Sequence, residues 1–83
     1  MKKGLFILAE ENYHLIYGPE ERNEIADRVE MLAPLQTPDE VRRHPEVLAD
    51  AEVVFSGWGG VTWDADLLAR APKLRMVFYG AGS

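Results

Sequence analysis

The chain has 83 residues, enough for one domain; at that size roughly 60–65% of the unfolded surface is buried and stability is marginal. An apolar fraction of 47% argues for a globular fold, and no run approaches the ~18 apolar residues of a membrane span. Nine basic against fourteen acidic residues leave a net charge of −5, which disfavours a nucleic-acid partner, and zero cysteines exclude disulfides, thiolate metal sites and a cysteine nucleophile.

Residues 4–9 (GLFILA) form a short continuous apolar run, as expected of a strand covered on both faces. With Met1, Lys2 and Lys3 ahead of it, the run faintly resembles a signal peptide. It is too short for one and meets Glu10 and Glu11, so a first strand and a cytoplasmic location are expected. Residues 10–18 (EENYHLIYG) read as a polar loop with interleaved aromatics. Pro19 suits the first turn of a helix, Glu20 and Glu21 favour its positive end, and Ile25, Ala26, Val29 and Leu32 recur at helical spacing. An amphipathic helix over residues 19–30 follows, with a short strand expected at 33–36. Thr37-Pro38-Asp39-Glu40 is a cap signature, and Pro45 should break the helix it opens. Residues 51–56 (AEVVFS) are the third strand, residues 57–60 a loop, and Thr62 or Asp64 caps a short helix over 65–71 that Pro72 stops. Residues 74–79 (LRMVFY) are the fourth strand.

Strands alternating with helices through short links predict an α/β fold with a parallel sheet and right-handed crossovers. The expected architecture is a three-layer, flavodoxin-like sheet of about four strands in the order 2-1-3-4. It forms one partial domain over residues 1–83, truncated before a fifth strand. Residues 74–79 then lie at an edge, although Met76, Val77, Phe78 and Tyr79 are not edge chemistry. A homo-oligomer formed through that edge, by strand pairing or exchange, is the expectation.

The third and fourth strands both run into glycine-rich loops, Ser56-Gly57-Trp58-Gly59-Gly60 and Gly80-Ala81-Gly82-Ser83. Such a rim is where open α/β sheets bind ligands. Glycines there let backbone N–H groups approach an anion, and Trp58 could wall a pocket; the competing reading is a tight strand-to-helix turn with a surface tryptophan. Neither loop is a complete dinucleotide fingerprint. Thr62 stands where G-x-G-x-x-G needs its third glycine, and Gly80-Ala81-Gly82 is a lone G-x-G. His14, in the loop after the first strand, could face the rim as an acid or base, whereas His44 before Pro45 reads as solvated. Neither has a partner at motif spacing. Glu10 and Glu11 stand where response-regulator receivers keep metal-binding acids, but Ser56-Gly57 occupies the place of the phosphate-accepting aspartate. Trp63 and Tyr13 read as packing residues, so no catalytic residue and no metal ligand is assigned.

Residues 51–83 (AEVVFSGWGGVTWDADLLARAPKLRMVFYGAGS) resemble the N-terminal lobe of the D-isomer-specific 2-hydroxyacid dehydrogenases, the phosphoglycerate dehydrogenase-like enzymes. That family carries a helix of the type D-x-x-L-L-x-x-A-P-x-L followed by a strand and a G-x-G loop. Here Asp64, Leu67, Leu68, Ala71, Pro72, Leu74, Gly80, Ala81 and Gly82 stand in those places. Tyr17-Gly18-Pro19-Glu20 and the helix after it fit a branch of the family, so the likeness spans nearly the whole chain.

The resemblance implies a substrate-binding lobe, normally paired with a Rossmann lobe that binds NAD(P) and is absent here. It implies that Ala81 and Gly82 offer backbone N–H groups to the carboxylate of a small 2-oxo or 2-hydroxy acid. Ser56, Gly57, Trp58, Gly59 and Gly60 would then shape the pocket, with Tyr79 and Gly80 beside it. SGWGG replaces the family's commoner R-S-x-T-type loop, and where the family continues G-x-G-x-D-N this chain has Ser83 and ends, so substrate preference is not expected to carry over. The family's catalytic arginine, glutamate and histidine and its cofactor glycines match nothing in this chain. No cofactor is expected in these residues and no turnover from them alone. The alternative is a stand-alone or engineered flavodoxin-like module with a binding or oligomerisation role and no catalysis.

Overall fold

The computed structural model describes residues 1–80. Four parallel strands form one sheet in the order β2-β1-β3-β4: β1 (Lys2–Ile7), β2 (Val29–Met31), β3 (Val53–Gly57) and β4 (Met76–Gly80). This is the flavodoxin-like α/β arrangement expected from the order of elements. Side chains alternate between two covered faces along residues 4–7 of β1 and residues 53–55 of β3, which is why these stretches read as apolar runs. Leu5, Ile7 and Val54 enter one layer, where Val41, Leu48, Leu67 and Ala71 cover them. Phe6, Val53 and Phe55 enter the other, against Tyr13, Ile16, Tyr17 and Ile25. The second layer is an aromatic cluster: Phe6 meets Tyr13 and Tyr17 edge-on at 5.1 and 4.9 Å, and Phe55 stacks on Phe78 at 5.5 Å.

The connection between β1 and β2 differs from expectation. Residues read as a loop form α1 (Glu10–Ile16), and Gly18-Pro19 separates it from α2 (Pro19–Arg28). Tyr13, Ile16 and Tyr17 lie three and four residues apart, so one face of α1 and its C-terminal cap meets the sheet. The second strand is also displaced: β2 is Val29–Met31, paired with Lys2, Lys3 and Gly4, and the segment expected as a strand at 33–36 contributes only a bridge from Gln36 to Ile7. Val29 therefore closes the helix and opens the strand instead of continuing the helical stripe.

The cap signature is realised in α3 (Pro38–Arg43). The Glu40 N–H donates to Thr37 Oγ1, and the Thr37 N–H donates to Glu40 Oε1 at 3.0 Å, completing a capping box. Pro45 breaks the helix as expected, and a 3₁₀ turn at Pro45–Leu48 follows. Hydrogen bonds from the Thr37 N–H and hydroxyl hold the Glu40 carboxyl below its usual range. That contribution is present above the unfolded carboxyl pKa and is lost as pH falls through the folded value. Thr37→Ala should therefore cost about 1 kcal/mol near neutrality and flatten the acid side of the stability profile, read by urea titration from pH 7 down to pH 3. A variant as acid-sensitive as the parent would refute the capping role. Of the two cap candidates for the next helix, Asp64 is used: its Oδ1 accepts from the Leu67 N–H at 2.8 Å at the start of α4 (Ala65–Ala69).

Candidate functional site

The C-terminal ends of β3 and β4 lie side by side, with Ser56 opposite Tyr79 and Gly57 opposite Gly80. Beyond Gly57 the chain turns at once. The Gly60 N–H donates to the Gly57 carbonyl at 3.0 Å, and Gly59 has φ +76°, a left-handed conformation that favours glycine. The turn is tied to the helix opposite, because Asn12 Nδ2 donates to the Trp58 carbonyl at 2.7 Å. A cavity of about 180 Å³ opens beside it, lined by Ser56, Gly57, Gly59, Gly60, Val61, Trp63, Val77 and Tyr79.

Five of the residues singled out from sequence thus meet around one cavity. The others do not line it. Trp58 is half exposed at the tip of the turn. Gly80 lines the opposite side of the sheet with Ile16 and Tyr17, and Ala81 and Gly82 lie outside the described residues. Gly57 and Gly80 share a second role. A Cβ at Gly57 would stand 2.6 Å from Ile16 Cδ1, and one at Gly80 would stand 2.6 Å from Ile16 Cγ2. Both are glycines because α1 packs its last isoleucine directly on the strand ends.

Ser56 is buried, and its hydroxyl donates to the Ile7 carbonyl at 2.9 Å, so it ties β3 to β1 and offers no nucleophile. Its carbonyl accepts from the Tyr17 hydroxyl at 2.8 Å. Burial pushes the Tyr17 hydroxyl above its ordinary pKa, and a backbone hydrogen bond from Gly80 opposes that shift. Tyr17 therefore bridges the ends of β3 and β4. Tyr17→Phe should cost about 1–3 kcal/mol by leaving the Ser56 carbonyl without its donor, measured by urea unfolding. A raised phenol pKa contributes stability below the unfolded value near 10 that is lost as pH rises through the folded one. The Phe variant should lack that alkaline loss; equal stability across pH 7–11 would exclude the bridge.

Among the described residues no charged side chain lines the cavity. Among the described residues no group of three His, Asp or Glu side chains could hold a metal ion, and no buried side-chain polar atom lacks a partner. An anion here would be held by backbone amides: the Gly60 N–H is already used in the turn, while the Gly59 N–H meets no acceptor among the described residues. The turn does not fit a dinucleotide cofactor. It closes on itself through the Gly60 N–H and leads to a helix of only five residues. His14 is exposed on α1 rather than held in a rim loop, and His44 is exposed beside Glu46.

Sequence reasoning missed Asn12 and Tyr17 because it read their segment as a loop. Val61, Val77 and the second role of Trp63 come from tertiary placement, which no local pattern announces. No described helix is long and apolar enough to cross a membrane. Compared with known proteins, the chain matches no family model, no curated protein and no solved structure at a significant level.

Proposed function

We propose that this chain is the substrate-binding lobe of an NAD(P)-dependent D-2-hydroxyacid dehydrogenase-like protein and holds a small 2-oxo or 2-hydroxy acid by its carboxylate. The observation that supports this reading is the juxtaposition of the ends of β3 and β4, with Gly57 and the turn after it on one side and Val77 and Tyr79 on the other, around a cavity of about 180 Å³. With a water's share of liquid volume about 30 Å³, that space suits an acid of a few carbons. The motif residues from Asp64 to Gly82 add to it. On this reading the cofactor and the acid/base residues belong to a Rossmann lobe of the full-length protein, and this lobe alone is inactive.

The test is an amide NMR titration of the 83-residue chain with pyruvate and glyoxylate, using propionate and acetate as controls. Saturable shifts at Trp58, Gly59 and Gly60, larger for the 2-oxo acids, would support the reading. No shift at tens of millimolar acid, or NADH oxidation by this chain alone, would sink it.

A second reading has its own support. Met76, Phe78 and Tyr79 are 52%, 49% and 62% exposed, so β4 is half exposed on both faces and has no neighbour along its outer edge among the described residues. This favours a module that assembles with another copy through β4. Light scattering should give a mass that rises toward twice the monomer with concentration, and a strict monomer at millimolar concentration would remove this reading.

A further inference from the structure

A cavity of about 500 Å³ lies on the far side of α2 from β4, between that helix, α1 and the segment after β2. Its floor is apolar, made by Phe6, Met31 and Leu35, and Tyr13 closes one side. Among the described residues only one charged side chain lines it, Arg22. The guanidinium carbon sits 5.0 Å from the Tyr13 ring centroid, which holds the side chain over the cavity. Its contacts with protein acceptors are long: Nε to the Gly18 carbonyl at 3.4 Å and one terminal nitrogen to the Tyr13 hydroxyl at 3.5 Å. No carboxylate pairs with it among the described residues. A half-buried guanidinium with five donors normally finds an anion.

The charge pattern of α2 sharpens the point. At 100° per residue, Pro19, Arg22, Asn23 and Ala26 form one stripe, and these four line the cavity. The helix carries four carboxylates, Glu20, Glu21, Glu24 and Asp27, and every one lies outside that stripe. In a chain of net charge −5, the single acid-free face of its most acidic helix is the one that presents an unpaired arginine over an apolar floor.

The geometry points to a second ligand site, distinct from the glycine rim: the Arg22 pocket takes a monocarboxylate with an apolar, flat body. The carboxylate meets the guanidinium, with Asn23 as a neighbouring donor, and the body lies on Phe6, Met31 and Leu35. Pockets that pair an apolar floor with a few convergent polar groups are the usual form of small-molecule sites.

The probe is 3-phenylpropionate, with the neutral 3-phenylpropionamide as its isostere, titrated into the isotopically labelled chain. Expected are saturable shifts at the Arg22 side chain and the Met31, Ala26 and Ala33 methyls, with the amide binding about 10- to 100-fold more weakly. Arg22→Gln should weaken the acid by a similar factor and leave amide binding unchanged. Ala26→Phe, which fills the cavity while keeping the arginine, should abolish both. Equal affinity for acid and amide, or shifts confined to Gly59 and Gly60, would overturn the proposal. So would an Arg22→Gln chain that folds and binds like the parent.

Discussion

Gly80→Ala should destabilise the chain by about 1–3 kcal/mol, and the same substitution made in an Ile16→Ala background should cost less than about 0.5 kcal/mol. The added methyl would stand 2.6 Å from Ile16 Cγ2, while its next neighbour, the Tyr17 hydroxyl, is 3.2 Å away. Removing the isoleucine branches removes the collision. Gly57→Ala should behave differently. Its methyl would meet Ile16 Cδ1 at 2.6 Å and also the Gly80 carbonyl oxygen at 2.8 Å, and backbone in a paired strand cannot step aside. Ile16→Ala should therefore rescue Gly80→Ala almost fully and Gly57→Ala only in part. At about 0.05–0.15 kcal/mol per residue, the whole fold is worth about 4–12 kcal/mol, so each unrescued substitution removes a measurable share of it. Urea denaturation of the two single glycine variants, Ile16→Ala and the two doubles gives both cycles. Equal rescue of the two glycines would mean that the strand ends move freely, and that the rim is not the rigid frame a carboxylate site requires.

The same glycines mark how far the sequence speaks. As strand-to-loop punctuation they were legible, and so were the caps at Thr37 and Asp64, because each is a local pattern with one mechanism. The order of strands was legible because strands alternating with helices through short links imply a flavodoxin-like parallel sheet, in which β1 and β3 are the inner strands. What failed was short. The seven residues of α1 carry their helical signal in Tyr13 and Ile16, with Tyr17 at the cap, and Gly18-Pro19 cuts it off before a second turn can repeat it. The three residues of β2 are too few to show alternation, so Val29 joined the preceding helical stripe by spacing. At the rim, sequence separated loop from strand but not one sheet face from the other. Whether a glycine serves a ligand or an isoleucine depends on what the fold lays over it, and α1 was the element that went unseen.

A proline at one of two neighbouring positions in β4 should turn an assembled chain into a monomer without unfolding it. Successive N–H groups of a strand point to opposite sides, so of Val77 and Phe78 one directs its N–H at β3 and the other at the open edge. Proline at the first position removes a bond of the β3–β4 ladder and should destabilise the fold by about 3 kcal/mol or more; proline at the second removes a donor that only a partner strand could use. The variant that keeps its dispersed amide spectrum identifies the outward residue. If copies pair edge to edge, that same variant should weaken dimerisation by about 100-fold or more in sedimentation equilibrium, because a proline in mid-strand stops the ladder on both sides. Dimers that survive the tolerated proline but fall apart on Phe78→Lys would move the contact to the face where Phe78 stacks on Phe55. The edge and the face are separable because proline silences backbone while lysine charges a side chain. The apolar sequence of β4 leaves both available, since Phe78 and Tyr79 point to opposite faces of a strand with no neighbour among the described residues beyond it.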